Sequence, residues 1–124
     1  MSGQMKRMTF KSSGAVIAAA TTTTTWIDVS AFNEGYFWLN VTVFASRVDE
    51  TLDVTIERKT LGTTGYTTVA TFTQIATAAA AEEEKTLIAA TGLLGGKIRA
   101  RYVTAGTWTS KSITFAIEGE VKRV

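Results

Sequence analysis

Between residues 35 and 46 the side chains alternate with a period of two. Phe37, Leu39, Val41, Val43 and Ala45 fall on one side, and Tyr36, Trp38, Asn40, Thr42, Phe44 and Ser46 on the other. Successive side chains of a strand point to opposite faces, so an alternation this long predicts a β-strand. Residues 51–59 repeat the pattern more cleanly, with Leu52, Val54 and Ile56 opposed to Asp53, Thr55 and Glu57. Residues 97–103 set Ile98, Ala100 and Tyr102 against Lys97, Arg99 and Arg101. Residues 112–124 set Ile113, Phe115, Ile117 and Val121 against Thr114, Glu118, Glu120 and Lys122. Weaker strand patterns cover 14–20, 26–29 and 66–75.

Turn-forming residues separate these runs: Asn33-Glu34-Gly35, Val48-Asp49-Glu50, Gly62-Thr63-Thr64-Gly65, Gly95-Gly96 and Ala105-Gly106-Thr107. Seven or eight short strands joined in this way predict an all-β fold, an antiparallel β-sandwich of jelly-roll-like form. Residues 76–90 read ATAAAAEEEKTLIAA, rich in helix-forming Ala, Glu, Lys and Leu. They fit one or two helical turns, or a loop over 78–83 followed by a strand over 84–90. Propensity yields readily to tertiary context, which favours the strand, paired with 97–103 through the Gly-rich turn. A chain of 124 residues is expected to form one domain. The division is an extended N-terminal arm over 1–13 and a single sandwich over 14–124.

Composition narrows the chemistry. The chain has no Cys, His or Pro, while Thr occurs 23 times and Ala 17 times. Without Cys there is no disulfide framework, zinc–thiolate site or thiol nucleophile. Without His there is no imidazole base and no Ser-His-Asp triad. The charged fraction is 19% and the apolar fraction 45%, a balance suited to a domain that hides part of its exterior in an assembly. The net charge of +2 is too small for a general nucleic-acid surface. No run approaches the roughly 18 apolar residues of a membrane span. Lys6, Arg7 and Lys11 precede an apolar run over 14–20, which is short and weakly hydrophobic for a secretory leader.

Catalytic and cofactor readings find little support. Asp53 and Glu57 share a strand face but stand about 13 Å apart by strand rise. That exceeds the roughly 5–9.5 Å separation of glycosidase carboxylate pairs. Glu82-Glu83-Glu84 lacks the interleaved spacing of a calcium loop and reads as a solvated charge run. Gly92-Leu93-Leu94-Gly95-Gly96 lacks the Lys-Ser/Thr of a phosphate loop. The expectation is a protein that is not an enzyme, with no metal and no cofactor. Arg99 and Arg101 share a face and could pair across the sheet with Asp53, Glu57, Glu118 or Glu120, or meet an anionic partner.

Contact chemistry is better represented. Tyr36, Trp38 and Phe44 oppose the apolar face of their own strand, so both faces are greasy, as in a covered central strand or one facing a partner. The arm carries Met5, Met8 and Phe10 with Lys6, Arg7 and Lys11, and could dock on its own domain or on a neighbour. Met5, Lys6, Arg7, Met8, Phe10, Tyr36, Trp38 and Phe44 are therefore the candidate partner-binding residues. Trp26, Trp38 and Trp108 could instead form a platform for sugars.

Several stretches carry a resemblance. They are Trp26-Ile27-Asp28-Val29-Ser30, the strand from Tyr36 to Ala45, and Leu52-Asp53-Val54-Thr55-Ile56. Ala70-Thr71-Phe72-Thr73-Gln74-Ile75, Lys97-Ile98-Arg99-Ala100-Arg101-Tyr102 and Ile113-Thr114-Phe115-Ala116-Ile117 complete the series. Together they resemble the small β-sandwich proteins of tailed-bacteriophage heads, the capsid decoration or cement proteins. The resemblance covers roughly 26–122 and brings no catalytic residues. It implies a virion protein on the outer capsid surface, with the major capsid protein and copies of itself, often a trimer, as partners. A head–tail or tail adaptor is the alternative virion role, and a carbohydrate-binding sandwich the alternative of another class.

Overall fold

The long alternating runs all become strands in the computed structural model, which describes residues 5–45, 49–75, 84–108 and 112–123. In chain order these are β1 (Met5–Val16), β2 (Ala20–Thr23), β3 (Ile27–Asp28), β4 (Glu34–Ala45) and β5 (Thr51–Thr60). They continue with β6 (Thr67–Thr71), β7 (Glu84–Thr91), β8 (Gly96–Ala105) and β9 (Ser112–Lys122). No helix is present among the described residues. One sheet has the order β1-β9-β4-β7; the other has the order β2-β8-β5-β6, with β3 also paired to β8. The strand pairings among the described residues are antiparallel, and the two sheets face each other as a sandwich.

The core is built from the inward positions the alternation marked. Phe37, Leu39, Ile113, Phe115 and Ile117 from the first sheet meet Leu52, Val54, Ile56, Ile98 and Ala100 from the second. Tyr102 stands edge-on to Phe115 across the layers, with ring centroids 5.3 Å apart. Each fully buried side chain of this size contributes about 1.5–3 kcal/mol.

From Met5 onward, the segment expected to be an arm is a strand. β1 runs along β9 from Met5 opposite Lys122 to Val16 opposite Ile113. Met8 and Phe10 are buried in the core, and Phe10 packs on Phe37 at 6.0 Å between ring centroids. Their two-residue spacing places both on the inner face, and their burial drives the docking onto the chain's own domain. The accessible surface of 6509 Å² matches the roughly 6,400 Å² of a closed globule of this mass.

One further expectation is corrected. β7 is a strand, but it pairs with β4 and not with β8. Leu93 explains this: it is fully buried, so the 92–95 turn plugs the end of the sandwich and carries the chain from one sheet to the other. The turn is fastened by backbone bonds from Leu93 N to Asn33 O and from Gly95 N to Ser30 O. A register shift interrupts the β4–β9 pairing between Val41 and Val43; the Phe44 side chain, expected on the face of Tyr36 and Trp38, lies outside the described residues. The alternatives for 78–83 also fall outside them.

Candidate functional site

The outer face of the first sheet gathers four of the expected contact residues. Across β1, β9 and β4 its rungs read Met5–Lys122–Glu34, Arg7–Glu120–Tyr36 and Thr9–Glu118–Trp38. Met5 is 64% exposed and Tyr36 37%; Trp38 is half-buried. The Arg7 guanidinium reaches across β9 to lie 5.5 Å from the Trp38 ring centroid, and the Lys122 ammonium lies 5.0 Å from that of Tyr36. Arg7 Nε is 3.7 Å from Glu120 Oε2, and Lys122 Nζ is 3.9 Å from Glu34 Oε2. Such exposed pairs contribute about 0–1 kcal/mol each. Their main effect is to hold cations over the rings, giving a flat surface whose aromatics are oriented before any partner arrives.

The other expected residues are placed elsewhere. Met8 and Phe10 are core, which removes them from any surface contact. Lys6 sits on the inward side of β1 opposite Val121, and its ammonium donates to the Asp28 carbonyl at 3.3 Å, tying β1 to β3 of the second sheet. Lys11 falls at an irregularity in the β1 register. Its ammonium donates to the carbonyls of Phe115 and Gly14, each at 2.9 Å, and lies 4.2 Å from the Phe115 ring centroid. Burial lowers its pKa from the ordinary 10.5.

The three indoles do not form a platform. Trp108 is buried, and its Nε1 donates to the Ala105 carbonyl at 3.0 Å. Trp26 lies on the outside of the second sheet with the Arg99 guanidinium 4.3 Å and the Lys59 ammonium 4.9 Å from its ring centroid. Tyr66 approaches Trp26 at 6.4 Å and Arg99 at 4.9 Å. Beneath them Arg99 Nε donates to Glu57 Oε1 at 2.8 Å. The two side chains are only 17% and 4% exposed. The alternation offered this cross-strand pair as one of several; nothing in it showed that Trp26 and Tyr66 would close over the pair, because both come from irregular segments.

At the edge of this face the Asp28 carboxylate accepts from the Ser30 backbone N–H at 2.8 Å. The Ser30 side-chain hydroxyl and this backbone N–H, joined by the charges of Lys97 and Lys6, hold its pKa below the ordinary value. Among the described residues no group of three His, Cys, Asp or Glu side chains could hold a metal ion.

No family model matches the chain. No curated protein matches it either. Solved structures share its fold, among them two of infectious bursal disease virus. A chain of the infectious bursal disease virus Gx strain structure superposes with a TM-score of 0.63 at 14% identity, covering 97% of this chain and 32% of its own. A chain of the infectious bursal disease virus VP2 subviral particle gives a TM-score of 0.60 at 16% identity, covering 98% and 33%. Neither is a tailed-bacteriophage decoration protein, and this chain spans about a third of the length of each. What is shared is the β-sandwich fold.

Proposed function

We propose that the chain is a non-enzymatic structural protein of a virion, a capsid decoration protein that attaches to the outer surface of the shell. The observation that carries this is the outer face of the β1-β9-β4-β7 sheet. Met5, Arg7, Tyr36 and Trp38 meet there, and Met, Arg, Tyr and Trp are residue types enriched where proteins bind proteins. The fold shared with chains of a viral particle supports the same reading. The partners are the major capsid protein and further copies of the chain, with a trimer as the expected unit. Attachment acts by mass action: many copies, each adding a contact of about 1,600 Å², make local opening of the lattice costly.

Co-sedimentation with particles stripped of the protein tests this. The double variant Tyr36→Ala/Trp38→Ala is expected to lose attachment by at least about tenfold while keeping a cooperative unfolding transition. Attachment as tight as that of the unaltered protein overturns the assignment of this face. A head–tail adaptor is separated by stoichiometry, because a ring position holds few copies and a shell holds hundreds.

A further inference from the structure

The outer face of the second sheet, on the far side of the sandwich, carries a different chemistry. Lys59 and Lys97 stand directly opposite each other on β5 and β8, a placement in which like charges repel. Among the described residues neither ammonium enters a salt bridge, but Lys97 also has Asp28 as its direct partner on β3, so the charge left without a counter-charge beside it is that of Lys59. One rung along, Glu57 is buried against Arg99, so its negative charge is already matched. Beside Lys59 a hollow of ≈ 280 Å³ opens between the end of β5 and the start of β6, lined by Arg58, Lys59, Thr60, Gly65, Tyr66 and Thr67. Its rim is held in place: Arg58 donates to the carbonyls of Leu93 and Leu94, and Thr63 Oγ1 donates to the Thr60 carbonyl at 2.8 Å. Tyr66 is 52% exposed, so part of its ring is free.

We propose that this hollow binds the terminal acidic sugar of a glycan, a sialic or uronic acid unit, with its carboxylate at Lys59 and its ring against Tyr66. The volume is near the low end for small-ligand sites, which suits one sugar unit. The Thr60 and Thr67 hydroxyls supply polar partners for sugar hydroxyls. A nucleic-acid strand fits less well, because such sites stack successive bases on free rings along a basic groove. Here Trp26 is faced by Arg99 and Lys59 and Tyr66 by Arg99, so among the described residues no row of free rings runs along this face. The site does not depend on the virion reading and is tested on the isolated protein.

Heteronuclear NMR titration decides it, with sialyllactose, a glucuronate-terminated disaccharide, neutral lactose and a short oligothymidylate as probes. Saturable shifts of the 59–67 amides with either acidic sugar and not with lactose are expected, and whichever acid acts names the source. Lys59→Gln and Tyr66→Ala should each weaken binding by about tenfold while the remaining spectrum stays dispersed. No saturable shift with either acid, equal shifts with lactose, or shifts with the oligonucleotide alone would overturn the site.

Discussion

The ring of Phe37 lies over Gly119, its direct partner on the neighbouring strand, so closely that a Cβ there would stand 2.6 Å from Phe37 Cδ1. The same ring covers Gly35 on its own strand, where a Cβ would stand 2.7 Å from Phe37 Cζ. The large side chain fills the space two glycines leave, with Phe10 of β1 closing the third side. Gly119→Ala is expected to cost about 1–3 kcal/mol through overpacking, read as a lowered urea midpoint. Adding Phe37→Leu should recover part of the loss. An unchanged midpoint for Gly119→Ala would contradict this packing.

The Glu57–Arg99 pair lies under Trp26 and Tyr66 and is shielded from water on both sides. Removing one partner leaves a charge without its match in a poorly solvated place. Glu57→Ala is expected to cost about 2–3 kcal/mol, slightly less than for a fully buried pair because Arg99 keeps some exposure. Arg99→Met in the Glu57→Ala background should cost less than in the unaltered protein. Additive losses in that double-mutant cycle would show that the two do not act together.

Lys11 gives a pH dependence with a definite sign. Burial lowers its pKa in the folded state below the unfolded 10.5. Between those two values the unfolded chain binds more protons, so stability rises with pH there. Below the lowered value the contribution is constant. Urea midpoints from neutral pH to 10.5 should rise for the unaltered protein relative to Lys11→Met. Parallel curves would show that burial does not perturb this ammonium.

Asp28 has the opposite sign. The hydrogen bond from Ser30, aided by Lys97 and Lys6, lowers its pKa below 3.8. Its stabilisation is present above 3.8 and is lost as pH falls through the lowered value. Asp28→Asn should therefore narrow the difference from the unaltered protein in acid unfolding. A constant difference across that range would refute the linkage.

Alternation made the sandwich legible because each long strand buries one face: Leu52, Val54 and Ile56 in β5, and Ile113, Phe115 and Ile117 in β9, lie where the pattern placed them. What escaped it depends on breaks in phase and on distant partners. The irregularities flanking Lys11 hid β1 as a continuous strand, and another interrupts β4 between Val41 and Val43. Met8 and Phe10 were legible as apolar but not as core, since only Gly119 and Phe37 of other strands make room for them. Tyr36, Trp38, Met5 and Arg7 share a face because β9 lies between their strands, a fact of topology that local spacing does not carry. The Trp26–Tyr66 cover over Arg99 likewise joins segments about forty residues apart.

Cryo-electron microscopy of virions carrying this gene tests the central claim most directly. The account predicts many copies on the shell, with Met5, Arg7, Tyr36 and Trp38 turned toward the shell subunits. Particles without the chain, or copies attached through the Lys59–Lys97 face, would contradict it.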